Sequence, residues 1–160
     1  MRIDSGTKRR QADKIRRDVT NGLSMLGFRR LRTTSWVRER EHIIQRIHFH
    51  LFSFDTSFRV HLSIHVRGLE CEDSVLNGLS SFDGWYLSKK STMRKGRKYS
   101  FQFNRTPESV KQCAAELVAY CQDVAEPWFR DNEDLERLLN DADSPLSLEA
   151  KRALMKRLAD

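Results

Sequence analysis

Four of the chain's five histidines, His48, His50, His61 and His65, lie within the stretch Ile47 to His65, on either side of one short turn. Imidazole binds metals, moves protons near neutral pH and, once protonated, donates to anions. An H-x-H pair with a third histidine across a turn has the ligand types of a catalytic zinc site. Arg46, Arg59 and Arg67 recur at the same alternation and would repel a cation. No Asp or Glu of these segments shares that alternation to serve as ligand or supporting partner, so no metal and no cofactor is assigned. His50 and His61 could serve as the acid and base of a metal-independent phosphodiester cleavage, with an arginine holding the phosphate. They are the catalytic candidates if the protein is an enzyme. No motif names a reaction, however: the sequence has no G-x-S-x-G, no phosphate-cradling glycine loop and no H-E-x-x-H. The plainest alternative is the solvated side of a one-sided sheet.

Anion binding suits the charges better. Guanidinium forks and imidazoles donate to phosphate or carboxylate oxygens. Arg46, His48, His50, Arg59, His61, His65 and Arg67 form one candidate binding face. The segment "KKSTMRKGRK" adds Lys89, Lys90, Arg94, Lys95, Arg97 and Lys98. Trp85 and Tyr86 precede it and could either stack on bases or anchor in the core. There is no helix-turn-helix pattern, no zinc-finger spacing and no exposed aromatic platform on the expected sheet. Nucleic acid is the first expected partner and an acidic protein surface the second.

The charge distribution agrees. The 160 residues carry a net +7, unevenly spread. Through Arg105 there are 22 Lys+Arg against 10 Asp+Glu, a balance of +12; from Thr106 onward 7 stand against 12, a balance of −5. Such asymmetry implies an anionic partner for the first part, or attraction between the two parts within the fold. No apolar run approaches the roughly 20 residues that span a bilayer, and no signal-peptide pattern follows the basic start. A cytoplasmic protein without a membrane partner is expected. Three cysteines without paired spacing argue against a disulfide framework or a zinc cluster.

These side chains need elements to position them. Ile15, Val19, Leu23 and Leu26 share one face of a helix over 7–26, with Thr7 as its cap and Gly27 just past its end. "TSWVRERE", "HIIQRIHFHLFSF", "FRVHLSIHVRG" and "KYSFQFN" read as strands. In the middle two, Ile43, Ile47, Phe49 and Leu51, then Phe58, Val60, Leu62, Ile64 and Val66, alternate against the histidines and arginines. A two-residue turn at Asp55–Thr56 would set His50 opposite His61, His48 opposite Ser63 and Arg46 opposite His65. Val75, Leu76, Leu79 and Phe82 read as a short helix. Thr106–Pro107–Glu108 opens a helix with a stripe of Val110, Cys113, Ala114, Leu117, Cys121 and Val124, ended by Pro127. Trp128 and Phe129 should plug the core, and helices near Glu133–Leu139 and Leu148–Leu158 follow. The expectation is a single α+β domain over 1–160. It has an antiparallel sheet of about four strands, helices packed on one face, and an acidic helical tail over 132–160.

"LSMLGFRRLRTTSWVRERE", the strand pair and "AYCQDVAEPWFRDNEDLERLL" together resemble a bacterial family, domain of unknown function 4304. The matching features are Gly27–Phe28, the basic run Arg29 to Arg32, Trp36, the histidine strands and Pro127–Trp128–Phe129. His48 and His50 stand where that family's pattern suggests a polar amide. The resemblance implies an α+β fold and transfers no catalytic residue. Small bacterial proteins of this kind often accompany toxin or defence systems, so it also suggests an immunity-type or defence accessory protein that binds a protein partner. The readings are therefore a non-enzymatic module for an anionic partner, an immunity-type protein, and a histidine-dependent phosphodiesterase or zinc enzyme.

Overall fold

In a computed structural model, residues 3–69, the backbone of 74–79, and residues 99–160 are described. Helix α1 spans Ser5–Met25. Its cap is Asp4, whose side chain accepts from the Thr7 amide; Thr7 lies inside the first turn. A carboxylate also suits the positive helix end better than a hydroxyl. Ile15, Val19 and Leu23 are fully buried on one face, and Gly27 ends the helix with φ 90°.

Five antiparallel strands follow in chain order: β1 (Arg29–Arg32), β2 (Ser35–Glu39), β3 (Ile43–Leu51), β4 (Phe58–Val66) and β5 (Ser74–Leu79). Two expectations fail here. Val75, Leu76 and Leu79 belong to a strand, not a helix. Short apolar runs are ambiguous between the two periods, and the open edge of β4 offers backbone partners. Conversely, 99–104 forms no ladder among the described residues. It crosses the end of β4 through an isolated Ser57–Gln102 bridge, with the Phe58 amide donating to the Phe101 carbonyl and the Phe103 amide to that of Thr56. Its alternation still holds, since Tyr99, Phe101 and Phe103 are all buried.

Helix α2 (Pro107–Tyr120) starts at the expected Thr106 cap and buries the expected stripe. Pro127 does not end it. The chain widens into a π-helical turn over Cys121–Ala125 and continues as α3 (Glu126–Asp131). Pro127 thus occupies the first turn of a new helix, where its missing N–H costs no bond. Two helices complete the chain, α4 (Leu135–Asn140) and α5 (Leu148–Ala159). Cys113 and Cys121 are buried and unbridged, and burial pushes the Cys113 thiol up to about 12.

The arrangement is α+β, with helices against one side of the sheet. Trp36 on β2 and Thr20 on α1 are joined by an indole N–H bond of 3.0 Å. Ile47, Phe49, Val60, Leu62 and Ile64 share one hydrophobic core with Ile15, Leu117, Phe129, Leu138 and Leu154. Two arginines, Arg16 and Arg38, are buried against this core. Arg38 of β2 donates to Gln45 of β3 (2.7 Å) and to the Leu26 carbonyl (2.7 Å), and pairs with Glu126 at 2.8 Å. Its guanidinium also lies 4.3 Å from the centre of the Phe28 ring.

Candidate functional site

The histidines take their common face from the pleat. Leu51, Phe49 and Ile47 turn toward the helices, so His50 and His48 turn away from them. On β4 the same logic turns Arg59, His61 and His65 outward. The face is the one expected, but the register is not. His48 pairs with His61, His50 with Arg59, Arg46 with Ser63 and Ile44 with His65. The expected pairing is displaced by two residues, an even number, so every side chain keeps its face.

The displacement follows from the loop. The Phe52 amide donates to the Ser57 carbonyl, leaving 53–56 as the connection in place of a two-residue turn. Asp55 holds this longer loop, accepting from the Thr56 amide (2.7 Å) and the Ser57 hydroxyl (3.0 Å). Lys8 of α1 clamps it from outside, its ammonium donating to the carbonyls of Phe52 (2.6 Å) and Ser53 (3.2 Å). One member of the N-terminal basic cluster is therefore a structural anchor.

Three imidazoles cluster. Ring centres are 5.5 Å apart for His48 and His61, 6.4 Å for His48 and His50, and 6.5 Å for His50 and His61. His65 stands apart, four residues along β4 from His61, or about 13 Å at strand rise. Arg67 lies beyond the end of β4, where its guanidinium donates to the Arg40 carbonyl at 3.0 Å. Among the described residues no group of three or more His, Cys, Asp or Glu side chains is arranged to hold a metal ion. Burial, then the neighbouring charges of His50, Arg16 and Arg46, hold His48 below its ordinary 6.5. Burial, then His48, Arg59 and His50, do the same for His61.

Cross-strand pairing adds two arginines that sequence reasoning did not assign. Arg32 pairs with Ser35, and Ser35 with His48, so Arg32, Ser35, His48 and His61 form one row across four strands. Arg29, Val37, Arg46 and Ser63 form the next row. Four strands at about 4.8 Å spacing give each row a width of about 14 Å. Glu39 is the one acid on this face among the described residues, and it lies 3.6 Å from Arg29. The signal in the sequence was the basic run Arg29 to Arg32, but its face depended on a register shift between Arg30 and Arg32. Exposure is uneven. Arg29, Arg32 and His50 are exposed, Arg46, His48, Arg59, His61 and His65 are half-buried, and Val37 and Ser63 are buried. The face is thus most open along the β1 edge and at the hairpin end.

Lys89, Lys90, Arg94, Lys95, Arg97 and Lys98, together with Trp85, Tyr86 and Cys71, lie outside the described residues. No helix of the described residues is long and apolar enough to cross a membrane. No family model, curated protein or solved structure matches the chain. The resemblance drawn from Gly27–Phe28, Arg29 to Arg32, Trp36, the histidine strands and Pro127–Trp128–Phe129 rests on those short features alone.

Proposed function

We propose that this protein is a non-enzymatic module whose basic sheet face engages an anionic partner, with nucleic acid the first choice. One observation carries the reading: Arg29, Arg32, Arg46, Arg59 and four histidines lie on one side of a sheet, with Glu39 the one acid among its described residues. Phosphate contacts are made by Arg, and by His once protonated, and they need no sequence motif. Lys89, Lys90, Arg94 and Lys95, outside the described residues, are further candidates for phosphate contact from the sequence.

Salt dependence tests this. Affinity for a labelled oligonucleotide should fall steeply with salt, because each neutralised phosphate releases counterions. Replacing Arg32, Arg46 or Arg59 by Gln should each reduce the slope of log K against log salt by about 1. Replacing Lys89, Lys90, Arg94 and Lys95 by Ala should flatten it further. A slope unchanged by both sets would overturn the reading.

A protein partner is the second reading, and α5 favours it. Leu148, Met155 and Leu158 are 64%, 60% and 55% exposed on that helix. A pull-down from the full chain that loses its captured partner in a Leu148→Ser/Met155→Ser/Leu158→Ser variant, but not in the arginine variants, would support this alternative.

A further inference from the structure

The face does not stop at the histidines. From His61 the rings continue through His48, His50 and Phe52 to Phe54. Successive ring centres are 5.5, 6.4, 5.7 and 5.1 Å apart. The first rings sit among arginines. The last, Phe54, is 81% exposed, the one aromatic among the large exposed hydrophobic side chains of the described residues. An aromatic ring left in water at a loop tip contributes little to the core, and this loop is held firmly. Lys8 clamps its first carbonyls, and Asp55 bonds across its far side. Phe54 also borders an open cleft of about 640 Å³ whose wall includes Asn104, Arg105 and Thr106.

We propose that the partner of this face is single-stranded nucleic acid, whose bases stack on Phe54 and Phe52 while its backbone passes over the adjoining imidazoles and arginines. The inference rests on the anion-binding reading above and narrows it. Bases in a duplex already stack on one another and leave no ring face for a side chain. An unpaired base can stack on any aromatic ring, which gives affinity without sequence preference. A charged face with an aromatic end therefore offers a duplex only its charges. It offers a single strand both charges and rings. The rise of a strand, about 3.4 Å per residue, sets the alternate positions His48 and His50 about 7 Å apart on β3, and Phe52 and Phe54 continue the line beyond its end. Bases can therefore stack at the exposed tip while phosphates follow the strand inward.

The test compares a labelled 12-nucleotide oligothymidylate, the matching oligouridylate and a 12-base-pair duplex by fluorescence anisotropy at low salt. The intact chain should bind the single strands more tightly than the duplex. Phe54→Ala should weaken single-strand binding roughly 5- to 160-fold, the range for loss of one stacked base, and leave duplex binding unchanged. Phe54→Trp should retain it. Because Phe54 is exposed, thermal melting of both variants should match the parent. Arg32→Gln should weaken single strand and duplex alike. Equal binding of both forms, unaffected by Phe54→Ala, would overturn this inference and leave the phosphate-binding reading in place. No binding of any probe would overturn both.

Discussion

His48 and His61 face each other directly across β3 and β4, with ring centres 5.5 Å apart. Two imidazoles at that distance cannot both protonate without repulsion, and both are half-buried. Each is therefore held below its ordinary 6.5, chiefly by burial.

Stability should depend on pH through this pair. The folded values lie below the unfolded 6.5, so the unfolded chain takes up protons first as the pH falls. The stabilisation is full above the unfolded value and is lost as pH drops from there through the folded values. Urea midpoints should decrease over that window. A His48→Gln/His61→Gln variant should show a flatter profile, and identical profiles would exclude the pair as the cause.

Binding should show the opposite sign. A phosphate over the pair favours the protonated imidazoles, so anion affinity should rise as pH falls through the same window. The salt slope should steepen as well, since more cationic groups then take part. Anisotropy titrations at several pH values measure this, and an affinity independent of pH would place the ligand away from His48 and His61.

Arg38 should be the most sensitive surface-distant position. Removing it strands Glu126 and Gln45 and uncaps the Leu26 carbonyl. Breaking a buried pair from one side costs about 3–5 kcal/mol. Arg38→Ala should lose about that much in urea denaturation, and adding Glu126→Gln should recover part of the loss by removing the uncompensated charge.

Gly22 should reverse the usual glycine rule. In an open helix Gly→Ala gains about 1 kcal/mol. Here an added Cβ would lie 2.7 Å from a Val118 methyl on α2. Overpacking of this kind costs about 1–3 kcal/mol, so Gly22→Ala should destabilise or at best be neutral. In a Val118→Ala background the same substitution should become stabilising. Thermal melts of the four proteins would show the change of sign.

Which side chains share a face was legible in the sequence. The period-two alternation of Ile47, Phe49, Val60, Leu62 and Ile64 places His48, His50 and His61 together in any register that keeps those apolar residues on the core side, because an even slip preserves the faces. The Thr106 cap, Gly27 and the stripe from Val110 to Val124 were legible for the same reason: each depends on neighbours within a few residues. Tertiary structure decided what distant contacts control. Lys8 and Asp55 set the hairpin loop, and so paired His48 with His61 in place of His50. The β1 pairing brought Arg29 and Arg32 into the basic rows, which no local pattern specified. An unpaired edge of β4 drew Ser74–Leu79 into a strand against its helix-like spacing. Arg38 found Glu126 across 88 residues of sequence, because a buried charge must be matched wherever the fold brings a partner.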